Sequence, residues 1–327
     1  MQWRGRANET AGVHHCAWPG CNLAVRRAIP ASGANLSSGC PNGPSARDVP
    51  VNVAFLNEFP RYGFIEGQNL AVDWRVFGKD LDLIAAELVS VRVDVIATAG
   101  EEATRAAQRA TKTIPIVAGV DDLLGSGLVR SLARPEGNTT GVNFLAVDLD
   151  GKRQDLLIEA VPGLRRLAAL INVNNTAAKL EALQEAARAK NVELSIYRIA
   201  TGEEIAPAID TAHASGATAL NIGASVLLWA NRQLIMDRAA ALRLPTMHGF
   251  PEEAEEGAFA AYGPRLGRLF AEEMPQQIIK LFRGAKVADV PVEQPTKFEL
   301  VINLKTAKAM GVTVPEALLV RADKVIE

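Results

Sequence analysis

One pattern is written twice in this chain: an apolar run, a small-residue turn, a stretch of helical period, and a second apolar run opened by proline. The first copy is VDVIATAG (residues 93–100), then EEATRAAQRATK, then IPIVAG (114–119). The second is ATALNIGAS (217–225), then VLLWANRQLIMDRAAALR, then LPTMHG (244–249). Continuous apolar runs bounded by turn residues read as buried strands, and the periodic stretch between them reads as a helix, so each copy is a β-α-β unit. Two such units about 120 residues apart predict an α/β chain of two doubly wound, parallel-sheet lobes.

Open parallel sheets place ligands beyond the carboxyl ends of their strands, where loops run into helix N-termini. In the first copy those loops hold Ala99, Gly100 and Glu101, then Val120, Asp121 and Asp122. In the second they hold Gly223, Ala224 and Ser225, then Phe250, Pro251 and Glu252. Lobes that face each other bring all four loops to one cleft, the geometry of a clamp on a small molecule.

At 327 residues the chain exceeds the ~100 to 200 of a single domain, so two domains are expected. With 35 basic against 37 acidic side chains there is no broad electrostatic footprint, and no nucleic-acid partner is expected. No apolar run approaches the ~20 residues of a membrane span. Cys16, Cys21 and Cys40 are the only cysteines, so the chain past residue 40 relies on neither disulfides nor a thiolate metal site. The His14-His15-Cys16 group lacks the second paired spacing of a zinc centre, and no metal is expected.

Residues 1–48 are rich in Gly, Pro, Ser, Asn and Arg without a sustained period, which reads as a disordered or atypical leader. A secretory signal has a basic start followed by ~7 to 15 apolar residues. Arg26 and Arg27 are followed only by a short, mildly apolar stretch. The string Leu36-Ser37-Ser38-Gly39-Cys40 loosely resembles a lipoprotein cleavage site, although a Gly/Ser-rich tail is the plainer reading.

Beyond the leader, the pattern predicts a helix over 51–62 interrupted by Pro60, a strand over 70–75 and a helix over 81–92. A short helix over 125–133 and a strand over 141–144 that crosses between lobes follow. The next helix starts near Asp148 or Asp150, whose carboxylate is placed to cap it. A β-α-β-α-β series then runs into the second copy, followed by a helix over 265–283, a Pro-spaced linker, the strand KFELVINL and a last helix. The expected division is lobe 1 from 49–142 with about 264–287, and lobe 2 from 143–263 with about 288–327.

Neither G-x-G-x-x-G after a strand nor G-x-x-x-x-G-K-[ST] occurs, and Gly125-Ser126-Gly127 lacks a third glycine, so no nucleotide and no other cofactor is expected. Past residue 48 the only histidines are His213, within a helix, and His248, at a strand end beside the predicted cleft. Without a G-x-S-x-G elbow or a paired nucleophile, the chain does not read as an enzyme, and His248 reads as a ligand contact rather than a proton carrier. Asp121 and Asp122 are placed to cap a helix or to attract an ammonium group. The helix starts after Gly100 and Ala224 offer N–H groups to a carboxylate. Asn172, Asn174 and Asn175 crowd one strand end, where they serve either the loop or a ligand. Trp74 and Trp229 read as packing residues, the latter within a turn or two of the cleft.

The strings GFIEGQNL, VDVIATAG, TIPIVAG, GSGLVRSLARPEGNTTGV, GKRQDLLIEAVPGL, LLWANRQLI, YGPRLGRLF and PVEQPTKFELVINLKTAKAMGVTVP closely resemble the tryptophan/tyrosine-type substrate-binding proteins of ABC transporters. The resemblance runs from about Phe55 to Glu327 and is most specific in SLARPEGNTTG and QPTKFELVINLKTAK. It implies two α/β lobes that close on a small ligand without catalysis, a membrane permease as partner, and a periplasmic location. By position it implies a ligand site at Ala99, Gly100, Glu101, Asp121, Asp122, Asn143, Asn172, Asn174, Asn175, Gly223, Ala224, Ser225, Phe250, Glu252 and Tyr262.

Three departures stand out. The family carries Gly-Asp-Pro where this chain has Asp121-Asp122-Leu123, and Pro60 falls where the family's first helix continues. The family also has a first strand about 20 residues before the position of Phe55, which residues 30–48 do not resemble; residues 49–55 are the substitute the sequence offers. The expected function is uptake of an amino acid or similar small polar metabolite, with a cytoplasmic two-lobed ligand sensor as the alternative.

Overall fold

The computed structural model describes residues 21–27, 50–76, 80–173 and 177–327. The expectations for Asn174, Asn175, the His14-His15-Cys16 group and residues 36–40 lie outside them. The first sheet is built from β1 (Cys21–Arg27), β2 (Leu70–Val76), β3 (Val95–Ala99), β4 (Ile116–Val120) and β5 (Thr139–Asn143) in the order β2-β1-β3-β4-β5. Between them run α1 (Pro50–Glu58), α2 (Leu81–Ser90) and α3 (Glu101–Ala110). Every residue of β3, β4 and β5 is buried, as strands covered on both faces require. Ile84 and Leu88 of α2 and Ala107 of α3 pack against Ile96, Ile116 and Ala118.

β1 corrects two expectations. Seven residues of the segment read as a disordered leader form an inner strand of this sheet, between β2 and β3 and antiparallel to both. It supplies the ladder that the missing first strand was expected to leave open, and so satisfies the inner edges of two neighbours. Residues 50–55 are therefore not a replacement strand. They enter α1, and Pro60 falls in the first turn of a tighter 3-10 segment, Phe59–Tyr62, where a missing N–H costs nothing.

Two local expectations also fail. Residues 125–133 form turns rather than a helix. The Asp122 carboxylate accepts from the N–H groups of Leu124 and Gly125, and Gly127 sits at φ 70°, so the backbone bends before a helix can propagate. Residues 139–143 are the edge strand of the first sheet, with the crossing after them.

The second sheet follows α4 (Asp150–Ala160), whose start has no side-chain cap because Asp150 turns inward to Arg153. Its strands and helices are β6 (Arg166–Asn172), α5 (Ala177–Ala189), β7 (Glu193–Ile199), α6 (Ile205–Ala214), β8 (Leu220–Ile222), α7 (Val226–Ala230), α8 (Arg232–Ala241), β9 (Thr246–His248), α9 (Pro251–Glu256) and β10 (Ala260–Gly263). The chain then leaves as α10 (Leu266–Arg268), a π-helical turn (Leu269–Glu273) and α11 (Met274–Phe282). It returns as β11 (Glu299–Asn303), α12 (Leu304–Met310), α13 (Glu316–Leu319) and β12 (Lys324–Ile326). The sheet order is β12-β11-β10-β9-β8-β6-β7, with only β10 and β11 antiparallel. Leu156 and Leu157 of α4 cover one face, and Ile205, Ile209, Ile235 and Ala239 of α6 and α8 cover the other.

Three segments join the sheets: residues 144–149, the turn from β10 into α10, and the stretch from 290 to β11. Near the first sheet the third is stitched to β5, the strand from which the first departs. Asn143 N–H donates to Glu293 O at 2.8 Å, Glu293 N–H to Gly141 O at 3.0 Å, and the Thr140 hydroxyl to Val290 O at 2.7 Å. The buried Gln277 amide adds bonds to Gly141 O (2.9 Å) and Pro291 O (3.1 Å). The helical segment from Leu266 to Phe282 packs against the first sheet through Phe270, Met274 and Ile278.

Candidate ligand-binding cleft

The carboxyl ends of β3, β4, β8 and β9 converge on a space of about 460 Å³, part of it open to solvent. Of the residues expected from sequence, Ala99, Gly100, Asp121, Ala224, Ser225 and Phe250 line it together. Both β-α-β copies thus contribute, as do both sheets.

Each loop has a local reason for its shape. Gly100 sits at φ 89° and ψ 159°, a region open essentially to glycine alone, and α3 begins after it with no side-chain cap. Thr104 steadies this turn by donating its hydroxyl to Gly100 O at 2.8 Å. Ser225, at the matching place in the second copy, is extended, and its Oγ accepts from Leu228 N–H at 3.1 Å. Asp121 accepts from Val147 N–H at 2.8 Å, so the β4 loop is bound to the first crossing. It is the one charged residue among the described lining residues.

The walls are mostly apolar. Trp229 and Phe250 meet edge-to-face, centroids 5.2 Å apart at 86°, and Phe250 meets Phe144 at 6.5 Å and 90°. Phe144 and Phe270 continue the row at 5.1 Å. These geometries favour aromatic pairs electrostatically. The row reaches β4 because Gly119 has no side chain: a Cβ there would stand 2.8 Å from Phe270 Cζ and 2.9 Å from Phe144 Cζ. The Arg232 guanidinium covers the outer face of Trp229, 4.5 Å from the ring centroid.

The remaining expected residues lie around the cleft rather than in its lining. Glu101 turns outward to Arg105 at 2.7 Å, and Asp122 caps its own turn. Asn143 is fully buried, and its Oδ1 accepts from Leu123 N–H at 2.9 Å, so it shapes the β4 loop from beneath. Gly223 donates its N–H to Leu170 O and completes the sheet one residue before the lining begins. Asn172 ends β6 beyond the lining. Tyr262 packs toward the core of the second sheet. Glu252 accepts from Gly267 N–H at 3.0 Å, and burial pushes its carboxyl above the usual range. His248 is wholly buried, its Nδ1 2.8 Å from Glu253 Oε1, while Glu253 Oε2 accepts from Phe250 N–H at 3.0 Å. It is therefore a prop for Phe250 rather than a wall residue.

Sequence reasoning by strand ends reached Val120 and the helix start at Val226 but missed Phe144 and Ala146, and also Leu266 and Phe270. It placed Trp229 near the cleft but read it as packing; the ring does both. The missed signal lay in YGPRLGRLF, where Leu266 and Phe270 are four residues apart on one helical face.

Comparison with known proteins agrees with this geometry. Residues 61–326 match the family model described as ABC transporter substrate binding protein. A tyrosine-binding protein of Clostridioides difficile is 26% identical over 263 residues, covering 78% of this chain and 75% of that protein. Among solved structures, a conserved domain protein from Vibrio cholerae superposes with a TM-score of 0.75 at 23% identity, covering 84% of this chain and 94% of that one. A domain from Streptococcus pneumonia in complex with L-Trp superposes with a TM-score of 0.71 at 21% identity, covering 84% and 95%. The fold, the cleft and the family match over most of the length lead to one conclusion: the chain belongs to the ABC transporter substrate-binding proteins.

Proposed function

We propose that the ligand is an amino acid, or a similarly small metabolite, whose apolar side chain lies along Phe144, Trp229, Phe250 and Phe270. The observation that carries this reading is the composition of the cleft: an apolar, aromatic wall with a single carboxylate, Asp121, beside the open helix start at Gly100. Backbone N–H groups at the start of α3 suit a carboxylate, and Asp121 suits an ammonium group. Glu252 sits just behind the wall as a second acid. The remaining expected positions, Glu101, Asp122, Asn143, Asn172, Asn174, Asn175, Gly223 and Tyr262, act by shaping the loops or come into reach as the lobes close.

The lobes, 49–142 with β1 and about 264–287, and 143–263 with about 288–327, close about the three crossings and bury the ligand. The protein works outside the cytoplasm, in the periplasmic space, delivers its ligand to an ABC permease, and performs no chemistry on it. The family match favours this over a cytoplasmic sensor. What the tyrosine-binding relative and the L-Trp complex carry makes these two amino acids the first to try.

The test is a thermal-shift titration of the full chain with L-tyrosine, L-tryptophan and the other standard amino acids. A ligand binding only the native state adds about 2.7 kcal/mol at a hundredfold excess over its Kd. A shift confined to large apolar amino acids is the expected outcome. A cooperatively folded protein that shifts with none of them, or that converts one into product, overturns the reading.

A further inference from the structure

Arg153 is fully buried on α4, and its place is unusual for a cation. A charge is retained in an interior only when it is paired and hydrogen-bonded, and even then a buried ion pair adds little to stability over an apolar replacement. Here the pairing partner is Asp150, one turn earlier on the same helix and itself buried. Within a single helix such a pair forms as readily at the surface, so helix stability does not explain why it is inside.

The other donors of the guanidinium show what the burial accomplishes. Nη2 also donates to Ala146 O, in the first crossing, and Nη1 donates to Tyr262 O at 3.1 Å, just before the second crossing. These two carbonyls belong to segments far apart in the chain, and one rigid fork holds both. Ala146 itself lines the cleft, flanked by Phe144, and Leu266 follows Tyr262 by four residues on the other side. The backbone carbonyl of Asp150 in turn accepts from the Asn221 amide at 3.4 Å, on the strand that leads to Ser225.

We propose that Arg153 is a positioning residue for ligand binding: anchored by Asp150, it fixes the first and second crossings to each other, and so sets where Phe144, Ala146 and Leu266 stand when the lobes close. This rests on the reading of the crossings as the axis of closure. Lysine keeps the charge for Asp150 but has no planar fork to reach both carbonyls at once. The predicted lesion is therefore confined to the crossings, with the sheets intact.

The experiment compares the full-length protein with Arg153→Lys by amide hydrogen exchange and by stopped-flow binding of L-tyrosine and L-tryptophan. Loss of bonds made by a charged donor corresponds to about ten- to a hundredfold faster exchange at residues 145–147 and 263–266, with the amides of β6 unchanged. Dissociation of a bound amino acid should accelerate by a similar factor while association changes little. Asp150→Asn, which leaves the guanidinium but loosens its anchor, should show the same regional pattern and stands in if the lysine variant fails to fold. Unchanged protection at both crossings, or a loss spread evenly through β6 to β9, overturns the proposal. If the wild-type protein binds neither amino acid, the proposed ligand class falls, and the exchange pattern alone still decides the role of Arg153.

Discussion

The two β-α-β copies carry the same plan, yet they end differently at the cleft. In the first, α3 begins at Gly100 without a side-chain cap and runs for ten residues. In the second, Ser225 caps α7, which lasts only five residues before α8 takes over. A capped start has already given its amide to its own serine, whereas an uncapped one keeps it for a partner from outside. Under the proposed function, the contrast gives the ligand carboxylate to the first copy and the wall, through Trp229 and Phe250, to the second. Repeated architecture sets where a ligand can sit, and small differences at the helix start decide which half grips which end of it.

That division can be broken by substitution. The largest effect is expected from Phe250→Ala, which removes the ring between Trp229 and Phe144 and should cost about 3–5 kcal/mol of stability along with most ligand affinity; chemical denaturation and calorimetric titration measure the two. Next come two substitutions read as a pair. Gly100→Ala forces a side chain into a backbone region that costs about 1–3 kcal/mol and should lower affinity at least in proportion. Ser225→Ala should cost about 1 kcal/mol of stability with little change in affinity. Equal losses of affinity from the two would erase the proposed asymmetry.

The smallest expected effect concerns pH. Burial raises the Glu252 carboxyl above its reference value of 4.5, although bonds from backbone N–H groups and the nearby Arg265 oppose it. The folded protein therefore holds this proton where the unfolded chain has lost it, and stability falls as pH rises from 4.5 through the raised value. Glu252→Gln should thus melt above wild type at pH 7 and level with it near pH 4. A variant that melts higher yet binds less tightly would also place Glu252 beside the ligand.

The repeat was legible because β3 and β8 are buried on both faces, so their apolar runs stand out. The loops at their ends were legible for the same reason, since topology alone sends them to one edge. Residues arriving from elsewhere were not: Phe270 comes from a helix that crosses back after both copies, so the strand-end rule does not lead to it. Residues 125–133 have a helical composition that one carboxylate, Asp122, overrides by capping the turn first. CNLAVRR reads as a leader because its partners, β2 and β3, lie far along the chain, and a strand without strong alternation is specified by its neighbours.

That strand bears on how the protein is made. β1 precedes both of its ladder partners, β2 after α1 and β3 after α2, so an inner place of the first sheet is filled by pairings across long loops. Closing such a loop is slow compared with forming the local β3-α3-β4 unit. The second sheet, whose strands follow one another at short range through β9, has no such wait. Refolding should accordingly proceed in two phases, the later one marking the insertion of β1 between β2 and β3.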